Sequence, residues 1–306
     1  EFKDIDAKIT SGKGVMTPVR IDSYNGKYMT SNCYIVKEGG YYQFDARSVD
    51  KVNVFAGSKP YTDGYRAKWL WSTGSESIVS NVGIGDSGRI SFALKANANG
   101  NAVIALCDKD GNIVWSWHIW SVDYDPAEDY DLVDWGDSKR KVMKMNLGAL
   151  SNDARKSESL GMMYQWGRKD PFVGSDGGET FAKTTLSDKS YIESGSDTNT
   201  KAYAVSHPTT VISYSTWNSD PTLWRIDKTI YDPCPAGWRV PEREAWSNSY
   251  DLFLGYPKPG RTPGYYALYD VNYMGQLWSC EVHSDSKNAY PYFMEYYHSD
   301  AYENYT

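Results

Sequence analysis

Between about residues 15 and 122 the chain alternates short apolar or aromatic runs with turn residues. Asn32-Cys33-Tyr34-Ile35-Val36, Tyr41-Tyr42-Gln43-Phe44, Lys68-Trp69-Leu70-Trp71 and Arg89-Ile90-Ser91-Phe92-Ala93-Leu94 are rich in β-branched and aromatic side chains. Gly, Asn, Asp and Ser bound each run, the pattern of strands. Residues 102–107 and 113–120 flank Asp108-Lys109-Asp110-Gly111-Asn112, whose Asp110-Gly111 step supplies the positive φ of a tight hairpin turn. No helical period interrupts these runs, so residues 1–124 predict an all-β sandwich.

The texture then changes. Residues 123–137 hold seven acidic side chains and a proline and read as a solvated junction. Clustered carboxylates also suit calcium, but the spacing here fails the EF-hand loop. Beyond the junction, Leu160, Met163 and Tyr164 share one face of a short helix over 159–166, with Ser157 or Ser159 as its cap. A large surface loop around 173–225, rich in Gly, Ser, Thr and Asp, is expected to have little regular structure. Pro241 suits the entrance of a second helix that buries Trp246, Tyr250 and Phe253. Residues 275–282 and 289–296 read as a closing hairpin. The chain thus predicts two domains, 1–124 all-β and 125–306 α+β.

Composition narrows the function. At 306 residues the chain is long enough for two cores. Aromatic residues make up 15% of it, which fits half-buried strands and contact surfaces. A net charge of −7 without a basic stripe argues against nucleic acid. No run approaches the length of a membrane-spanning helix. Glu1 reads as a trimmed start, with any leader, lipid anchor or preceding domain removed. The four histidines stand far apart, and no nucleophile elbow, phosphate loop or paired-carboxylate signature appears. The expectation is a non-catalytic protein with no cofactor and no metal. Cys33, Cys107, Cys234 and Cys280 are too widely spaced for zinc. Export would permit one disulfide per domain, Cys33 with Cys107 and Cys234 with Cys280; four buried thiols is the other reading.

Several words are longer than chance. Residues 142–172 read VMKMNLGALSNDARKSESLGMMYQWGRKDPF, 231–246 read YDPCPAGWRVPEREAW, and LWSC and NAYPYF follow near the end. They resemble the Fibrobacter succinogenes major paralogous domain, a module similar in fold to C-type lectins. In gut and oral Bacteroidetes that module often closes fimbrillin-like surface lipoproteins, where SNCYIV, AVIALCDKDGNIVWSWHIW and DYDP precede it much as at 31, 102 and 123 here. The resemblance covers roughly residues 31–300. It implies a pilin-like or immunoglobulin-like β-sandwich followed by a C-type-lectin-like domain, exported and displayed at the cell surface or outer membrane. There the chain would be lipid-anchored or assembled with other fimbrial subunits, as an adhesin or fimbrial tip subunit. Three departures stand out: Glu242 replaces the usual Thr after Val-Pro, Cys280 replaces the usual second Ser after Trp-Ser, and the closing Val-Arg-Cys strand is absent. The family's closing Cys would pair with Cys234, which leaves Cys280 as a substitute.

A calcium-dependent sugar site of the lectin kind needs a Glu-Pro-Asn or Gln-Pro-Asp triplet and a Trp-Asn-Asp strand. Trp217-Asn218-Ser219-Asp220 comes nearest and is not intact. Recognition of a surface glycan or protein without metal would use aromatic faces beside amides and carboxylates. Tyr214, Trp217, Asn218, Asp220 and Trp224, with Tyr191 and Tyr203 nearby, are the candidates in the long loop. Tyr265, Tyr266, Tyr269 and Tyr273 form a second set. The bland alternative is that the loop's aromatics build its own core. Trp115, Trp117, Trp120, Trp166, Trp238 and Trp278 are expected to pack inside. A glycan-capture module for nutrients is the alternative function.

Overall fold

The computed structural model describes residues 9–11, 14–16, 18–24, 27–29, 31–46, 48–49, 52–53, 64–85, 88–186, 190–192, 197–212, 222–247, 258–259, 268–284 and 289–297. Its first strands are β1 (Ile9–Ser11), β2 (Gly14–Met16), β3 (Val19–Arg20), β4 (Ser23–Tyr24), β5 (Lys27–Tyr28), β6 (Cys33–Val36), β7 (Gly40–Asp45), β8 (Ser48–Val49) and β9 (Val52–Asn53). They are followed by β10 (Arg66–Ser72), β11 (Val79–Ile84), β12 (Arg89–Leu94), β13 (Gly100–Cys107) and β14 (Ile113–Ser121). Two four-stranded sheets, ordered β10-β13-β14-β6 and β11-β12-β7-β3, form the sandwich. Neighbours run antiparallel except β6 on β14 and β3 on β7.

Strand alternation explains the core. Tyr34, Ile104, Leu106, Trp117 and Ile119 of one sheet face Phe44, Ile90, Phe92 and Leu94 of the other. The rings of Phe44 and Trp117 meet at 5.2 Å. The hairpin turn between β13 and β14 forms as the spacing predicts, with Gly111 at φ +91 and Asp108 Oδ1 accepting from the Asp110 and Asn112 amides.

The alternate positions are buried as well. Cys33, Trp71, Val103 and Trp120 point away from the sandwich core, against Met145, Ala149, Phe172 and Val173. Residues after 140 therefore cover the outer face of this sheet, and β13 is buried at every position. A strand covered on both faces reads as a continuous apolar run, which is why residues 102–107 stand out in the sequence. Both sheet edges are met too. Thr73 bridges Thr184 beside β10, and Cys33 of β6 bridges Pro235 in parallel.

Beyond the sandwich lie β15 (Tyr130–Trp135), β16 (Ser138–Met143), β17 (Ser190–Ile192), α1 (Lys201–Ser206), β18 (Thr210–Ile212), α2 (Arg243–Ser247), β19 (Met274–Ser284) and β20 (Ala289–Tyr297). Strand outweighs helix by 40% to 6%, so the chain is predominantly β and the second half's helices are short. The closing hairpin is present as β19 on β20. Among the described residues no helix is long and apolar enough to cross a membrane.

Four expectations need correction. The acidic junction is a hairpin: β15 pairs with β16, Val133 is buried, and Asp134 and Asp129 sit against Lys139 and Lys144 at 3.1 and 2.6 Å. The helix over 159–166 is absent. Only a 3-10 turn at Ser157–Ser159 forms, because Gly161 takes φ +78 and Met163 then pairs with Phe172. The described residues of the long loop are structured. They carry β17 and β18 in parallel around α1, and Thr200 caps α1 by accepting from the Tyr203 amide. Finally, of the two readings open for the cysteines, this structure has all four free and buried, and the strand register excludes one of the pairings. Cys33 lies beside His118, which lies beside Val103, four residues from Cys107. That places Cys33 and Cys107 roughly 16 Å apart from strand spacing and rise, beyond disulfide reach. Cys234 and Cys280 share one apolar cluster without a bond. Helix α2 does begin just after Pro241; Tyr250 and Phe253 lie outside the described residues.

Candidate functional site

The outer face of β13 and β14 presents three polar side chains in an apolar setting: Asn101, Ser116 and His118, each at most 1% exposed. Buried polar groups require partners, and each finds one beyond residue 140. Asn101 Nδ2 donates to Gly148 O at 2.8 Å, which leaves its Oδ1 to accept from His118 Nε2, also at 2.8 Å. His118 Nδ1 is then free to accept from the Tyr164 hydroxyl at 3.2 Å. This pattern assigns a neutral imidazole protonated at Nε2. Burial pushes the His118 pKa down to about 3 and raises that of the Tyr164 phenol well above its ordinary range.

Ser116 lies one step along the same strand face. Its Oγ donates to Asp170 Oδ1 at 2.6 Å and accepts from Lys169 Nζ at 2.5 Å, and Lys169 reaches Asp170 at 2.6 Å. The ammonium also sits 4.7 Å from the centre of the Trp115 ring. Burial lowers the Lys169 pKa, with Asp170 opposing the shift. A Ser-Lys-Asp cluster beside a His-Tyr pair has the residue types of a reaction centre. Its setting differs: Lys169 and Asp170 are 2% and 3% exposed, and the adjoining cavity of roughly 10 Å³ holds about one water. These groups join two parts of the chain.

The two longest words of the sequence perform the joining. In Trp166-Gly167-Arg168-Lys169-Asp170, Trp166 Nε1 donates to Ser279 O of β19 at 2.9 Å, while Lys169 and Asp170 hold β14. Arg168 donates to the Ala204 and His207 carbonyls at 3.0 and 2.9 Å, closing the C-terminal end of α1. In the second word, the buried Asp232 carboxylate accepts from the Cys234 and Val240 amides and from Lys228 Nζ. Asn32, just before β6, donates to the Ile230 and Asp232 carbonyls at 2.7 and 2.8 Å.

Of the predicted ligand residues, Tyr214, Trp217, Asn218 and Asp220 lie outside the described residues. Trp224 is not a stacking face. It is 1% exposed, packs on Trp166 with ring centres 5.6 Å apart, and donates from Nε1 to Tyr231 O. Tyr203 is half-buried and stacks on His207 at 3.8 Å.

Two tyrosines of the second set are open to solvent: Tyr269 at 47% and Tyr273 at 57%. They flank a turn in which Asp270 and Asn272 take φ +59 and +64, a conformation these two residue types tolerate. The turn is anchored at three points. Asn272 Nδ2 donates to Gly177 O at 2.7 Å, its amide donates to Lys258 O at 2.9 Å, and the Asp270 amide donates to Glu179 Oε1 at 3.2 Å. Rings carried on a fixed backbone lose little entropy on contact with a ligand. No family model, curated protein or solved structure matches the chain.

Proposed function

We propose that the chain is a non-catalytic surface adhesin or fimbrial subunit, a C-type-lectin-like module on a pilin-like sandwich, that meets its ligand through the C-terminal half. The observation that carries this reading is where the chemically capable side chains lie. Ser116, His118, Lys169 and Asp170 are buried in a seam, Ser116, Lys169 and Asp170 bonded to one another and His118 to Asn101 and Tyr164. The words that carry the family resemblance also form the joints of the molecule, which supports a scaffold selected for rigidity. On this reading the protein is exported and held at the outer surface by a lipid anchor or by neighbouring fimbrial subunits.

Loss of surface fibres or of adherence on deletion of the gene is the expected result; a deletion strain that keeps both would sink the proposal. The exposure of Tyr269 and Tyr273 favours a second reading, metal-independent capture of glycans. A glycan array probed with the full chain should then show binding that Tyr269→Ala with Tyr273→Ala weakens by about tenfold or more, since stacking of one ring contributes on the order of 1 kcal/mol. The double variant should stay folded and melt close to the parent, because the turn is anchored by the Asn272 side chain and by the Asn272 and Asp270 amides. Binding that survives both substitutions would move the contact surface elsewhere.

A further inference from the structure

Cys33 and Cys234 belong to different halves of the chain and meet where those halves join. Cys33 is the bridge partner of Pro235, and the Asn32 side chain grips the Ile230 and Asp232 carbonyls. Strand spacing of about 4.8 Å and a rise of about 3.3 Å put the Cys33 and Cys234 Cα atoms roughly 6 Å apart. That lies within the range of about 4.4–6.8 Å that disulfides span. Cys234 sits at a bend between two prolines, outside the strict side-to-side alternation of a strand. The thiols are 0% and 7% exposed and lie within electrostatic reach of each other and of the Tyr164 phenol. Burial pushes both thiols well above the ordinary thiol range, and the Lys228 ammonium, held by Asp232 and the Cys234 carbonyl, opposes that shift on both sulfurs.

We propose that Cys33 and Cys234 form a disulfide that ties β6 of the sandwich to the segment 222–247. The oxidant is an exchanging disulfide, small or protein-borne. One cysteine thiolate attacks its S–S bond, giving a mixed disulfide and releasing one thiol. The second thiolate then attacks the mixed disulfide, forming the Cys33–Cys234 bond and releasing the other thiol. The oxidant gains the two electrons and two protons that the cysteines lose. Exchange takes place before the segment closes over β6, while both sulfurs are accessible and burial does not yet hold them as thiols. The bond closes a loop of about 200 residues, among the largest this chain permits.

The full chain, refolded in oxidised glutathione, alkylated under denaturing conditions and digested without reductant, provides the test. A peptide pair joining Cys33 to Cys234, about 2 Da lighter than its two free peptides, is expected. Cys107 and Cys280 should be alkylated. Cys280→Ser should keep the link and Cys33→Ser should lose it. Reductant should lower the melting temperature of the parent by about 5 °C or more and leave that of Cys33→Ser unmoved. Recovery of Cys234 joined to Cys280, of Cys33 joined to Cys107, or of four alkylated cysteines would each overturn the proposal.

Discussion

Single residues in the seam have effects that burial fixes in sign. Lys169 and Asp170 form an ion pair away from water, so removing one partner strands the other's charge. Lys169→Met is expected to destabilise by about 3–5 kcal/mol in chemical denaturation. A loss below about 1 kcal/mol would mean that water reaches Asp170. His118 gives the pH dependence. The unfolded chain binds its proton below the ordinary pKa of 6.5, whereas the folded chain resists protonation until about 3. The unfolded state therefore holds more protons between these values, and stability falls as pH drops through that window, by up to about 1.4 kcal/mol per unit. Between pH 6.5 and 5, above the usual carboxylate range, His118→Gln should flatten the slope measured by denaturant titration. An equal slope in both proteins would show that His118 is charged or solvated.

Elements were legible where one rule decided them. The strands over 33–36, 40–45, 66–72, 89–94 and 100–121 lie where alternation and turn residues put them. The helix expected over 159–166 fails at a single residue. A Cβ on Gly161 would lie 2.8 Å from Leu147 O and 2.9 Å from Asn146 Cβ, and its φ of +78 is left-handed. Leu160, Met163 and Tyr164 keep their apolar period, but the chain turns through Gly161, the Met162 amide donates to Leu147 O, and Met163 and Tyr164 pack into two different clusters. Gly161→Ala is expected to cost at least about 1–2 kcal/mol in thermal or denaturant melts, and a neutral outcome would show that the turn relaxes. The reverse error occurs at α1. Its six residues carry no strong period, and it is held by Thr200 at one end and at the other by the buried Arg168, 36 and 39 positions from the Ala204 and His207 carbonyls it meets. The first contact is local in sequence, and the second is not. The seam had a readable signal all the same, in polar Asn101, Ser116 and His118 on one face of two strands whose other face is apolar from Ala102 to Leu106 and from Trp115 to Ile119. Their partners at 148, 164 and 169–170 could not be read, because nothing local connects them.

At the scale of the whole molecule, the sheet β10-β13-β14-β6 is covered on both faces, and one covering comes from residues after 140. Cut at 124, the sandwich would expose Trp71, Val103 and Trp120 together with the uncompensated Asn101, Ser116 and His118. Such a surface combines a large apolar patch with polar groups whose partners are missing. Domains that share only a small polar contact melt separately. Here the Ser116-Lys169-Asp170 and Asn101-His118-Tyr164 links cross the join, as do the clusters around Trp120 and Trp71. The described chain should therefore unfold in one calorimetric transition, with the calorimetric and van't Hoff enthalpies in agreement. A fragment of residues 1–124 should bind hydrophobic dye or aggregate. Two resolved transitions, with a fragment that stays monomeric and keeps the tryptophan near-ultraviolet signature of the full chain, would show that the covering adds little to the sandwich beneath it.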